Sequence, residues 1–377
     1  MMSGFDQDLN IRRVSARGNP HPVHAMPQPP HLTRLGALER LPTWLICVPL
    51  ALQWLWLGVR FRGLTLPSVA NPSLTAGGLV GEEKMEYFRG MGPLAQSYTA
   101  RTHALLVGPL GQEEVGAELE SAGLSFPLVV KPDLGLCGYG VRKVEGPAAL
   151  MAYLCEFPRG ERVVLQTYLA AEYEAGIFYA RFPGQASGHV IGMAFRSYPR
   201  VVGDGVRCVE RLIAEDPRAR RVHSAAHHMD MDLTRVPVAG EVVRLATIAS
   251  TRVGGFYSDG TTHVTPALTA AIDMIARDMP NFYVGRFDVR FASLAELRAG
   301  TGFLLMEVNG AGSEAIHAWD PQYGLWAAFR IIFRKQRLMF AIGALNRDSG
   351  HPPIGLWALF RLHCRQRWLI ERYPPSM

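Results

Sequence analysis

Residues Gly285–Glu314 read GRFDVRFASLAELRAGTGFLLMEVNGAGSE. An apolar run from Arg286 to Phe291 carries Asp288 and Arg290. A short polar, helix-capable insert follows. A second apolar run, Phe303 to Val308, ends at Glu307 and Asn309, with Gly310 and Gly312 just beyond. Residues two apart on a strand point to the same face, so Asp288 projects with Arg290, and Glu307 with Asn309. If the two strands are neighbours, Asp288, Glu307 and Asn309 converge. Three oxygen donors on rigid backbone suit a hard cation such as Mg²⁺, which takes a few protein oxygens plus phosphate and water. Taken alone, the stretch fits equally well two ordinary strands whose acids sit at wet ends.

Upstream, Phe126–Val144 reads FPLVVKPDLGLCGYGVRKV. An apolar strand ends at Lys131-Pro132, a loop carries Gly135, Gly138 and Gly140, and a second short strand follows. Glycines let backbone N–H groups approach phosphate oxygens without Cβ interference, and a lysine at the rim adds positive charge. No G-K-[ST] closes the loop and a strand, not a helix, follows it, so it is neither a Walker A motif nor a Rossmann fingerprint. By itself it is also readable as a flexible turn. Between these stretches, apolar runs at Val163–Leu169 and Ala175–Phe182 flank Glu172 and Glu174, and HVIGMAFRS (189–197) predicts a paired strand. Glu241–Ile248 is strand-like, and Ala267–Met279 predicts a helix leading into the opening stretch. Lys84 follows acids in the first turn of a helical segment after Gly81.

The chain has 377 residues, too many for one simple core, which predicts two or three subdomains. Its net charge of +6 is uneven. From Tyr323 onward Arg330, Arg334, Lys335, Arg337, Arg347, Arg361, Arg365, Arg367 and Arg372 face only Asp348 and Glu371. That is a basic C-terminal region, not a globally basic nucleic-acid binder. Cys47, Cys137, Cys155, Cys208 and Cys364 form no C-x-x-C pair and read as reduced thiols of a cytosolic protein. Residues 1–33, rich in Pro, His, Gly and Arg, read as a mobile tail with no secretory signal. Leu41–Val59 is uncharged and nearly long enough to span a bilayer. Pro42, Pro49, Gln53 and three tryptophans (44, 54 and 56) keep three readings open: a span, an interfacial or partner-binding helix, or a helix on this protein's own core. GLWAAFR (324–330) and GLWALFR (355–361) predict two similar basic helices that either cap a domain or lie on an acidic membrane surface. His227, His228, Asp230 and Asp232 lack a second ligand pair at zinc spacing and read as a solvated face.

The order Lys84, Lys131 with its glycine loop, Glu172/Glu174, Asp288, then Glu-x-Asn resembles the ATP-grasp superfamily over roughly residues 75–320. The nearest look is to the D-alanine–D-alanine ligase, glutathione synthetase and cyanophycin synthetase branch of carboxylate–amine ligases. VVKPDLGLCGYGV and FDVRF…LLMEVNGAGS are the strongest motifs, joined by RVPVAGEVVRLATIASTRVGGFYSD and GDGVRCVERLI. The resemblance implies an α/β ATP-grasp fold at 99–320, with two α+β subdomains (99–165 and 166–320) whose antiparallel sheets grip ATP. An apolar helix and lead-in (34–98) would precede it, and a basic helical extension (321–377) would follow.

It further implies that Lys84 and Lys131 hold the ATP phosphates under a lid at Asp133–Gly140, including Gly135, Gly138 and Gly140. Backbone at Gln166–Leu169, including Tyr168, would read adenine, and Glu174, or else Glu172, would bind ribose. Asp288, Glu307 and Asn309 would ligate two Mg²⁺ ions, with Mn²⁺ as a substitute. Arg290, beside Asp288, would face the transferring phosphate or the substrate carboxylate, acting with Lys131 in catalysis. The implied activity is an ATP- and Mg²⁺-dependent carboxylate–amine (or thiol) ligase working through an acyl phosphate on small substrates, without nucleic acid. The implied location is cytoplasmic, with peripheral membrane or protein contact through 41–59 and 324–372 as a variant. The sequence departs from the family in its Gly-Leu-Cys-Gly-Tyr-Gly loop, in Gln166 where Glu is frequent, and in lacking an N-terminal substrate-binding subdomain in residues 1–75. Two other readings remain: a nucleotide-binding scaffold with an inactive core, and a membrane-surface ligase for a lipid-linked carboxylate.

Overall fold

The computed structural model describes residues 34–225 and 231–376. The tail read into residues 1–33, and His227, His228 and Asp230, lie outside the described residues; Asp232 is exposed and accepts hydrogen bonds from Thr234.

Two antiparallel sheets organise the chain. Strands β1 (Thr102–Leu106), β2 (Leu128–Pro132), β3 (Arg142–Val144) and β4 (Arg162–Thr167) form the first, in the order β1-β4-β2-β3. Helices Gln112–Ser121 and Pro147–Glu156 supply Val115, Leu119, Leu150 and Leu154 to its core. Strands β5 (Tyr173–Ala180) and β6 (His189–Ser197) begin the second sheet. A small insert follows, with β7 (Arg200–Val202), β8 (Val242–Arg244) and its own cluster around Val201, Val209, Leu212 and Val243. Then β9 (Phe256–Asp259), β10 (Val284–Phe291) and β11 (Phe303–Asn309) complete the second sheet in the order β11-β10-β5-β6-β9. Helix Pro266–Arg277 covers one face of it with Leu268, Ile272 and Ile275. The architecture is therefore mixed α/β, with two main antiparallel sheets. The strand expected over 241–248 is only β8, because Arg244 turns its guanidinium onto the carbonyls of Ala246 and Thr247 and the chain leaves the ladder.

β10 and β11 are antiparallel neighbours, with Asp288 opposite Glu307 and Arg286 opposite Asn309. The register then shifts, so that Val289 faces Leu305 and Met306 is left over. A bulged residue is unpaired in its own ladder. Here the Met306 carbonyl accepts from Lys131 Nζ at 3.0 Å and Gln166 Nε2 at 3.1 Å, which ties the second sheet to the first.

No local pattern marks the role of Asn71. It is fully buried: its amide donates to the carbonyls of Gly77 and Val284, and its oxygen accepts from Tyr283 and Val284 N–H. This fixes the Gly77-Gly78 turn beside the entry to β10. Close approach there requires glycine, since a Cβ on Gly78, at φ +72°, would lie 2.6 Å from the Gly310 Cα. Asn71→Ala strips partners from buried backbone groups and is expected to cost about 3 kcal/mol, read as a lowered denaturant midpoint. An unchanged midpoint would remove Asn71 from the fold's supports.

The lead-in helix Thr43–Arg60 runs beside helix Leu325–Asp348, touching it through a narrow stripe. Gln53 Nε2 donates to the Phe333 carbonyl at 2.7 Å, and Trp54 meets Phe340 edge-on at 4.9 Å. Leu325–Asp348 is the capping helix: Met339 and Ile342 pack with Ala70, Val284 and Ala311, and Asn346 donates to the Val69 carbonyl. Helix Leu356–Ile370 differs, burying little more than Gln366 and Leu369.

Candidate active site

The sheets enclose a cleft of about 460 Å³. Lys84, Lys131, Gly135, Gly138, Gln166, Tyr168, Leu169, Glu174, Asp288, Arg290, Glu307 and Asn309 all line it. Gly140 does not; it packs against Pro132 and Tyr373 at φ +69°, and its carbonyl accepts from Tyr153. Glu172 is exposed and outside the wall, whereas Glu174 is buried within it.

The charges form two chains. In the first, Lys84 Nζ lies 3.2 Å from Glu307 Oε1, and Lys131 Nζ donates to Gln166 Oε1 at 2.9 Å. Burial pushes Lys131 down to about 8, against the pull of Glu307. Burial alone would raise the Glu307 carboxyl, but Lys84, Lys131 and Arg286 together hold it well below the usual carboxylate range. In the second chain, Arg286 donates from Nε to Asp288 Oδ1 at 2.6 Å and from Nη2 to Oδ2 at 2.9 Å. Arg196 Nη1 bridges Asp288 Oδ2 at 3.3 Å and Glu174 Oε1 at 2.8 Å. Gly176, opposite Asp288 on β5, leaves room for this pairing: a Cβ there would press on both Arg286 and Asp288.

One expectation shifts. Arg290 does not flank Asp288. It donates to the carbonyls of Leu169 and Ala171, bonds the Tyr198 hydroxyl and lies 3.8 Å from Glu174 Oε2. The arginine of β10 that pairs with Asp288 is Arg286, beside Arg196 from β6, because Arg290 stands opposite Glu174 while Arg286 reaches Asp288 from the other side. The period-2 pattern put Arg286 on the same face, and that signal could have found it. The Gln166 side chain joins Lys131, Thr102 Oγ1 and the Met306 carbonyl as a cross-link between sheets.

Other wall residues were not singled out in the sequence. Arg244 stacks on the Tyr198 ring at 3.3 Å. Thr247, Ile248 and Ser250 come from the insert. Glu82 lines the cleft, and burial pushes its carboxyl up to about 7. Its Oε2 has no hydrogen-bond partner among the described residues.

The glycine loop is held from outside by the chain's C-terminal end. Gln366 Nε2 donates to the Gly135 carbonyl, the Tyr373 hydroxyl to the Leu134 carbonyl at 2.6 Å, and the Ser376 hydroxyl to the Gly138 carbonyl at 2.7 Å. From within, Lys84 Nζ abuts Gly135, and the Lys84 N–H bonds the Asp133 carbonyl.

Among the described residues, no three His, Cys, Asp or Glu side chains form a metal cluster. The oxygen set of Asp288, Glu307 and Asn309 nevertheless fits a hard cation in its chemistry. Positive groups already compensate both carboxylates: Arg286 and Arg196 on Asp288, and Lys84 on Glu307. Asn309 Nδ2 lies 3.2 Å from Asp288 Oδ2, and Glu307, opposite Asp288 on β11, lines the same cleft.

No family model and no curated protein matches this chain. Among solved structures, it is similar to a bifunctional glutathione synthetase from Pasteurella multocida, at 16% identity and a TM-score of 0.37, over 70% of this chain and 38% of that one. The chain thus spans well under half of that protein's length. It is also similar to D-alanine–D-alanine ligase from Bacillus anthracis, at 15% identity and a TM-score of 0.40, over 74% of this chain and 72% of that one. Likenesses of this strength leave the chemistry to the side chains.

Proposed function

We propose that this chain is an ATP-dependent ligase of the ATP-grasp type, joining a small carboxylate to an amine or thiol through an acyl phosphate. One observation carries the reading. Asp288 and Glu307 stand opposite one another on β10 and β11, ringed by Lys84, Lys131, Arg286 and Arg196 in a cleft bounded by a glycine loop. A site with such an excess of positive charge suits an anionic nucleotide beside an anionic acid.

Lys84 and Lys131 bind phosphate oxygens and lower the repulsion that a carboxylate meets on approaching them. Arg286 and Arg196 orient the attacking carboxylate. Its oxygen bonds to the γ-phosphorus, the bond to the bridging oxygen breaks, and ADP leaves. The amine or thiol then attacks the acyl carbon, phosphate departs, and the nucleophile gives up a proton. Glu82 is the acceptor the cleft offers, with its raised carboxyl and partnerless oxygen. The glycine loop keeps water from the acyl phosphate. Asp288, Glu307 and Asn309 would hold Mg²⁺, or Mn²⁺ in its stead, which supplies charge neutralisation at the phosphates. Glu174 and the backbone near Leu169 would take the nucleoside end.

The test is ADP release with Mg²⁺ across panels of amino acids and small carboxylates, with hydroxylamine present to trap an acyl phosphate as a hydroxamate. The expected result is release that depends on one acid and yields its hydroxamate. A folded chain that neither releases ADP with any acid nor is stabilised by nucleotide would sink the proposal.

A further inference from the structure

Among the described residues one helix, Thr43–Arg60, is long and apolar enough to cross a membrane, and only 17% of it is buried. Its outer face exposes Trp44 (64%), Leu52, Leu55, Trp56 and Val59. Helix Leu356–Ile370 presents a second such face. Trp357 (69%), Phe360, Cys364 and Trp368 recur at helical spacing and are all exposed. Arg361, Arg365, Arg367 and Arg372 flank this stripe, with Glu371 as the one acid in the helix's last turn and cap. A third stripe, on Leu325–Asp348, sets exposed Trp326 in line with Arg330, Arg334 and Arg337. The helices meet at one corner. Arg347 donates to the Phe61 and Arg62 carbonyls at the end of the first helix, and the Ile354 N–H bonds Ser68 Oγ just before Leu356–Ile370 begins. Exposed apolar patches of this kind mark interaction sites.

We infer that these helices dock the protein on an anionic lipid surface, lying on the bilayer and not crossing it. Tryptophan with arginine is the pairing suited to a headgroup boundary, where the ring stays in the interface and the guanidinium meets lipid phosphate. Crossing is opposed by the inner stripe of Thr43–Arg60. Gln53 and Trp54 fasten it to Leu325–Asp348, which Asn346 and Met339 fix to the body of the protein. A second copy of this chain is a poorer occupant, since self-association would bring arginine rims together with few acids between them. The surface does not depend on the reading of the cleft.

The experiment is co-sedimentation of the full chain with vesicles of phosphatidylcholine alone and of phosphatidylcholine mixed with phosphatidylglycerol, at low and high salt. Binding is expected to the anionic vesicles only, and to weaken with salt. The paired change Trp357→Ser and Trp368→Ser should weaken it about tenfold. Arg361→Gln with Arg367→Gln should weaken it about fivefold per arginine. Trp44→Ser with Trp56→Ser tests the first helix separately, and an unchanged thermal midpoint establishes that each variant is folded. Three results would overturn the inference: a folded full chain that stays free of anionic vesicles at low salt, equal binding to neutral vesicles untouched by the tryptophan changes, or a stable dimer in solution that the tryptophan changes dissolve.

Discussion

Asp288→Asn is expected to cut ADP release by about a hundred- to a thousandfold, the scale seen when one preorganised charge is removed from a reacting site. Asp288 is 1% exposed and receives both Arg286 nitrogens and Arg196. The amide keeps its shape but loses the negative charge. Two buried guanidinium groups are then undercompensated, and the cation site proposed for this cleft is left one carboxylate short. Breaking a buried pair from one side also costs stability, by about 3 kcal/mol, so activity must be read well below the variant's thermal midpoint. Glu307→Gln should behave alike, since it frees Lys84 in the same way. Wild-type release by folded Asp288→Asn would remove it from the reaction, whatever its place in the cleft.

Lys131→Met is expected to weaken nucleotide binding by about thirty- to a hundredfold, the scale for removing a buried cation from the phosphate-binding role proposed for it. A pH dependence goes with it. Burial lowers the Lys131 ammonium to about 8, so the free protein loses this charge as pH rises through that value. Nucleotide favours the charged form and so takes up a proton on binding. Affinity in the wild type should therefore fall between about pH 7 and about pH 9, and the Lys131→Met chain should lack that part of the fall. Calorimetric titration with ADP reads both. A wild-type affinity flat across that range, or an unchanged affinity in the variant, would take Lys131 out of phosphate binding.

How far the site was legible depended on the reach of each signal. The alternation in 286–291 and 303–309 put Asp288, Glu307 and Asn309 on usable faces, and the two strands are indeed adjacent. Lys131 and the glycine loop were legible because a lysine at a strand end and glycines after it are local chemistry. Arg290 was the natural choice beside Asp288, yet Arg286 holds it, because the pairing with β5 sets Arg290 against Glu174. Arg196 arrives from β6, two strands away, and nothing local marks it. The three readings of Leu41–Val59 could not be separated either, since hydropathy is silent on which stripe of a helix finds a partner.

Residue order alone encoded the strand faces, the succession of lysines, glycine loop and carboxylates, and the basic, tryptophan-bearing character of the C-terminal helices. These follow from backbone periodicity and residue chemistry, which act within a few positions. Tertiary structure alone decided which cation answers which acid, that Met306 would bulge out to bind Lys131 and Gln166, and that Tyr373 and Ser376 would hold the glycine loop. Register, sheet order and docking are set by contacts between residues far apart in the chain, and no local pattern encodes them.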